Sequence, residues 1–474
     1  MRKASILVIA AAVLTLGSFC LADAGTNAAA ENTELKARIE KLEKELAELK
    51  EIVNRQEEAR AKEVNNVEQR TSNIEQQISK TKTEPNKAIA GDKIPVVSGL
   101  EVQIYGRLKV DAVSDTSRMD VGNYAKWVRP DRGNNDHSQF DMTANESRLG
   151  MWIYGPKNEE VRTSGRVEID FYGGGAENKS NPMIRHAYLN LEWPQDKFSI
   201  LAGQTSDVIS PLYPDTLNYS VGWWVGNIGY RRPQIRLTKS YALDENYTLK
   251  FEGALTRTIG RTNSGILSAD QADTGENSGM PSIQGRVSMT FPSWGYKPAT
   301  VGFSSHYGKE KYDTATTVGG VATGSREFDS WSLNVDALQP VNKWLSFKGE
   351  LFTGENLDAY LGGIGQGVRN IGTAAVPVYD KDIGSSGGWV QASLGPWGKW
   401  SFNVGVSADD VDKDDLAGMT GDKRKYNQSI FGNVLYDIDK NAQIGFELSQ
   451  WHTEYVGADN ANALRAQTSF IYKF

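Results

Sequence analysis

The sequence predicts an all-β membrane protein: a 16-stranded antiparallel transmembrane β-barrel preceded by an N-terminal α-helical coiled coil. Three observations carry this reading. Apolar and polar residues alternate with period two from Gly99 to Phe474. The connections between the alternating segments are by turns short and long, as in barrels that cross a bilayer. Before them, residues 31–82 carry a heptad pattern free of aromatics.

The composition is compatible with this class and excludes others. Of 474 residues, 10% are aromatic and 47 are Gly, too many of both for a disordered chain. No apolar run long enough for a membrane helix follows the N-terminus. A net charge of -7 lacks the basic footprint of a nucleic-acid binder, so no nucleic-acid partner is expected.

Residues 1–24 read as a secretory signal peptide: Arg2 and Lys3, an apolar stretch from Ile6 to Leu16, then small residues ending at Ala22-Asp23-Ala24. Cleavage there removes Cys20, the only cysteine, which suits an oxidising compartment. Phe19 stands where a lipoprotein signal needs a small residue, which argues against a lipid anchor.

In residues 31–82, Leu35, Ile39, Leu42, Leu46, Leu49 and Val53 form an a/d seam, resumed at Val64, Val67, Thr71, Ile74 and Ile78. The 11-residue step from Val53 to Val64 is a heptad plus a four-residue stutter, so both halves fit one rod. Ile39, Leu46 and Val53 at a with Leu at d lean toward two strands, whereas Arg38 to Glu43 resembles a short trimerisation motif. Pro85, Gly91 and Pro95 mark a linker over residues 83–98.

The domain from 99 to 474 contains about sixteen alternating segments. Val102, Ile104, Leu108 and Val110 alternate with Gln103, Arg107, Lys109 and Asp111, and Val167, Ile169 and Phe171 with Arg166, Glu168 and Asp170. Seven short turns, among them Pro194 to Lys197 and Ile438 to Asn441, alternate with eight long Gly/Asn/Asp-rich stretches. A sixteen-stranded barrel with both ends on one side needs those numbers, its short turns facing the periplasm. Trp193, Trp294, Trp344, Trp397 and Trp400 lie beside short turns, where interfacial girdles form.

The last residues, Phe470, Tyr472 and Phe474, resemble the outer-membrane assembly signal of porins. Together with Ile104 to Val110, Arg166 to Phe171, Arg185-His186-Ala187-Tyr188 and Leu201 to Thr205, the whole resembles the DcaP-like trimeric outer-membrane porins of Gram-negative bacteria. The resemblance implies a trimer of sixteen-stranded barrels in the cell outer membrane, a periplasmic coil, and diffusion of small, preferably anionic solutes such as dicarboxylates. Phosphate-selective porins are the nearest other family, but they lack such a coil.

A diffusion pore needs a water-filled lumen, a constriction and a field, with no catalytic residue, metal or cofactor. Strand parity turns Arg107, Lys109, Arg148, Arg166, Arg232, Arg236 and Arg286 inward, opposed by Asp111, Glu168, Asp170, Glu192 and Glu252. The third long loop, about 206–224, is the expected constriction, with Asp207, Tyr213, Asp215 and Tyr219 as its residues. Guanidinium groups facing carboxylates create a transverse field, and they bind carboxylates through two hydrogen bonds.

Enzymatic readings are weak. His137, His186, His306 and His452 have no metal-ligand spacing, and Gly384 to Gly388 mimics a nucleophile elbow without its strand-to-helix context. Asp410, Asp412 and Asp414 imitate a calcium loop, but Asp415 replaces the required Gly. The expected function is therefore passive diffusion of small hydrophilic, anionic solutes by a non-enzymatic homotrimer held through barrel and coil. Its other partners are outer-membrane lipid and lipopolysaccharide, and peptidoglycan through the coil. The competing reading is a structural anchor tethering the envelope through that coil.

Overall fold

The computed structural model describes Lys44, residues 94–95 and 99–474, the latter without 131–136, 157, 159, 177–178, 261–272, 295, 316–321, 374–375 and 420. The signal peptide and the coiled coil thus lie outside the described residues, apart from Lys44, as does most of the linker.

The barrel domain forms sixteen strands. They are β1 (Glu101–Asp115), β2 in two segments (Gln139–Thr143 and Arg148–Tyr154), β3 (Arg162–Asp170), β4 (Met183–Trp193), β5 (Phe198–Ser206), β6 (Arg231–Ala242), β7 (Thr248–Thr256) and β8 (Ser282–Phe291). After them come β9 (Ala299–Ala315), β10 (Ala322–Asn342), β11 (Leu345–Glu355), β12 (Gly384–Trp397), β13 (Trp400–Val411), β14 (Arg424–Asp437), β15 (Ala442–Tyr455) and β16 (Ala461–Lys473). Each pairs antiparallel with its sequence neighbour, and β1 pairs with β16 from Arg107↔Lys473 to Asp115↔Arg465, which closes the barrel. Closure leaves no backbone edge unpaired, a requirement for any sheet in hydrocarbon.

Its surfaces are inverted relative to a water-soluble protein. Ile104, Leu108, Leu237, Ile283, Leu351 and Phe470 are about half exposed on the outer face. Asp111, Gln234, Ser304, Asn334, Gln391 and Ser469 are buried on the inner one. Period-two alternation produces this directly, because successive Cβ atoms point to opposite faces. Trp294, Trp344, Trp397 and Trp400 stand exposed beside short turns, in one rim. Gly384 to Gly388, the elbow-like stretch, opens strand β12.

Among the described residues, long loops fold into the lumen, three of them as follows. In residues 116–130, Met119, Ala125 and Val128 pack on Trp451, Tyr455 and Ala463 of the inner wall. In residues 207–230, Ile209 and Ile228 pack with Phe352, Leu357 and Tyr360, and so meet the third loop, residues 356–383. Several non-glycine residues of these loops hold positive φ, including Val221 (45°), Trp224 (65°), Leu361 (62°) and Ile364 (49°). Such conformations persist where the surroundings fix them, which fits loops packed against a wall.

Candidate permeation site

The 207–230 loop leaves β5 and returns through β6, and its base is tied down first. Asp207 accepts from the Tyr230 backbone N–H (2.8 Å) and from Gln284 Nε2 (2.9 Å). It also lies 2.7 Å from Arg232 Nε. From there the loop crosses the lumen. The Leu212 N–H donates to Glu350 Oε1 of β11 (2.7 Å), and the Asp215 N–H to Gln391 Oε1 of β12 (2.6 Å). Thr216 Oγ1 and the Leu217 N–H each donate to Glu447 of β15 at 2.6 Å. The Leu217 carbonyl accepts from Lys109 Nζ (2.7 Å) and Gln467 Nε2 (2.9 Å).

At the far end, a Cβ on Gly226 would stand 2.3 Å from the Gly388 carbonyl oxygen and 2.7 Å from that of Ala408. Only glycine fits there, at φ 119° and against the wall. The loop is a strap across the barrel, bound to the β11–β16 side and also to Lys109 of β1 and, through the Tyr219 hydroxyl, to Asp170 of β3. Asp207 anchors its base, Tyr213 and Asp215 border the open cavity, and Tyr219 stacks on Tyr172 with ring centres 3.7 Å apart.

The open space lies on the other side, as a cavity of about 400 Å³ between the strap and the β1–β6 wall. Arg107, Lys109, Arg148, Arg185, His186 and Arg231 line it. Glu146 contacts three of these cations, Arg107, Lys109 and Arg148. Glu168 takes Arg166 and Arg185, each at 2.7 Å, and Asp170 takes Arg185 at 2.6 Å. Lys109 also lies 3.3 Å from Asp111. Arg166 is held further by Tyr105, whose hydroxyl accepts from Nε at 2.6 Å, and stands 4.9 Å from the Trp152 ring centre.

The count of charges decides the sign of this wall. On the wall, six cations (Arg107, Lys109, Arg148, Arg166, Arg185, Arg231) face four carboxylates (Asp111, Glu146, Glu168, Asp170); the strap adds Asp215, which is paired with Lys348 at 2.8 Å. Arg231 has no carboxylate partner among the described residues and packs on Trp223 and Tyr230, its Nε and one Nη without a hydrogen bond. Arg236 likewise bonds only Gln234 and the Ser206 carbonyl. The side chains of Arg107, Arg148 and Arg166 are each about a quarter exposed, so a solute can reach them.

The other inward arginines do different work. Arg232 is fully buried in its pair with Asp207, with the Tyr360 ring centre 3.8 Å away. Arg286 lies 2.6 Å from Asp336 and 3.1 Å from Glu252, at 5% side-chain exposure. These pairs are sealed in the wall and outside the open cavity. Glu192 is half-buried near the short-turn end of β4, in register with Arg162, and does not line the cavity.

Sequence reasoning missed Arg185, Glu146 and Arg231. Arg185 sits where the β3–β4 register slips, Glu168 pairing with His186 and Ile169 with Ile184, so that both Arg185 and His186 turn inward. Glu146 lies in the gap between the two segments of β2. Arg231 is buried directly beside Arg232, so both members of an adjacent pair point away from lipid.

A family model described as the DcaP outer membrane protein matches residues 18–238. Over that span the chain is DcaP-like. The crystal structure of the outer membrane channel DcaP of Acinetobacter baumannii matches with a TM-score of 0.62 at 17% identity, covering 81% of this chain and 100% of that one. Salmonella typhi OmpF, solved with daunomycin, matches at 0.50 and 13% identity, covering 81% of this chain and 100% of its own. No curated protein matches by sequence. The match over residues 18–238 is to an outer-membrane protein family, and the closed barrel shares the fold of the DcaP channel.

Proposed function

We propose that the protein is a passive diffusion pore for small hydrophilic anions carrying carboxylates, without catalytic activity, working as a homotrimer held through its barrel and periplasmic coil. One observation carries the selectivity: on the wall facing the strap, six cations stand against four carboxylates, the strap's Asp215 is paired with Lys348, and three of the arginine side chains are about a quarter exposed. Fixed charge in a narrow, low-dielectric passage raises the local concentration of the opposite ion. Planar guanidinium groups bind a carboxylate through two hydrogen bonds.

A cavity of about 400 Å³ remains between the strap and the basic wall, which supports a pore over a plugged anchor. The test is single-channel recording of the full protein in planar bilayers with chloride, then with added succinate. Discrete openings blocked by millimolar succinate support the reading. A folded barrel without conductance refutes it and leaves the tether.

A further inference from the structure

On the lipid-facing surface the apolar belt is interrupted by a cleft across β7, β8 and β9. Across β7, β8 and β9 the register aligns Gly253, Gly285 and Ser305 in one row. The row on one side is Phe251, Val287 and Phe303, and on the other Leu255, Ile283 and Tyr307. Two ridges therefore flank a floor with almost no side chains, giving an open cleft of about 790 Å³. The floor spans two strand spacings, roughly 10 Å.

The chain itself does not need these glycines. A Cβ on Gly253 would meet nothing within 4 Å, and one on Gly285 only the Glu252 carbonyl at 4.0 Å. Neither residue has a positive φ. The space is left empty by the protein, between ridges whose Phe251, Ile283 and Phe303 are about half exposed.

A cation marks one end. Lys239 lies on the outer face of β6, in register with Phe198 and Phe251, and lines the cleft. Its ammonium donates to the Asp196 carbonyl in the short β4–β5 turn, and no carboxylate among the described residues pairs with it. Phe198 is the first residue of β5, whereas Phe303, in the same row, is the fifth of β9, so the rows climb from the short-turn rim toward mid-membrane. Short turns face the periplasm.

We infer that this cleft binds one glycerophospholipid of the periplasmic leaflet, its phosphate on Lys239 and an acyl chain on the Gly253–Gly285–Ser305 floor. The anionic headgroup matches the lone ammonium at the rim, and the chain fills a groove that runs from there into the hydrocarbon. The proposal is independent of the solute that crosses the pore.

Native mass spectrometry of the full protein, incubated in mild detergent with dioleoylphosphatidylglycerol, tests it. One lipid per barrel should survive detergent stripping. Lys239→Glu, and separately Gly253→Leu with Gly285→Leu, should each cut that retention at least fivefold while single-channel conductance stays unchanged. Heat-modifiability on gels verifies folding, and if the filled variant does not fold, Lys239→Glu decides alone. Equal retention in all forms overturns the proposal, as does retention of lipopolysaccharide in place of phosphatidylglycerol. A filled cleft that changes the oligomeric mass but not lipid retention also overturns it, since the occupant is then a second copy of the chain.

Discussion

Arg232 Nε lies 2.7 Å from Asp207 Oδ1, with both side chains sealed from solvent. This pair fastens the strap where it leaves and rejoins the wall, and the Tyr360 ring over the guanidinium ties the 356–383 loop to the same point. Breaking one half of a buried pair strands the other charge, at a cost of about 3–5 kcal/mol. Asp207→Ala should therefore loosen the strap, raising single-channel conductance and open-channel noise. Adding Arg232→Met to that variant should restore quiet openings, because no buried charge is then left without a partner.

The reachable and the sealed arginines should separate by phenotype. Arg107→Gln, Arg148→Gln or Arg166→Gln should each weaken anion attraction by about 1 kcal/mol, the aqueous Coulomb value for charges at contact, or roughly fivefold. Arg286→Gln should leave selectivity intact but destabilise the barrel, since it leaves Asp336, 2% exposed, without its cation. Reversal potentials and urea-unfolding midpoints measured on the same variants check both halves.

The middle of the strap depends on Glu447, which takes Thr216 Oγ1 and the Leu217 N–H. Glu447→Ala deprives two inward donors of their acceptor, each loss costing about 1–3 kcal/mol. Glu447→Gln keeps one acceptor oxygen and should be milder. Amide hydrogen exchange of residues 212–218 should rise strongly in the first variant and modestly in the second.

Beyond the barrel strands, Asp382 ends a hairpin formed by Val368–Asn370 and Tyr379–Asp382. Burial, followed by the nearby charges of Glu355 and Asp329, pushes its carboxyl up to about 7. A carboxyl raised in the folded state stabilises the hairpin below its unfolded value near 4, and that contribution is lost as pH rises through 7. Exchange protection of residues 379–382 should thus fall between pH 5 and pH 8. Asp382→Asn should remove the dependence.

How far the sequence revealed this molecule follows from what alternation can encode. Period two locates strands and sorts Arg107, Arg148 and Arg166 to the inner face, because a regular strand has no other way to place them. Alternating turn lengths fix the strand count and the short-turn rim. Arg185 was invisible because a one-residue register slip reverses parity locally, and Glu146 because it occupies an interruption inside a strand. The roles of inward residues depend on partners brought together by closure. Arg232 and Arg166 look alike in sequence, yet one is sealed against Asp207 and the other, paired with Glu168, keeps about a quarter of its side chain exposed. The inward folding of residues 116–130 and 356–383 was also missed, although Met119, Val128, Leu357 and Ile364 are large apolar residues in stretches otherwise typical of solvated loops.

Excess positive charge on the open side of the strap sets the reversal potential of the purified full protein in a potassium chloride gradient. That potential should be chloride-biased and should shrink toward zero at molar salt, where charges are screened beyond about 3 Å, and in the combined Arg107→Gln, Arg148→Gln, Arg166→Gln variant. A potassium-biased potential, or a chloride bias unaffected by those three substitutions, would contradict it.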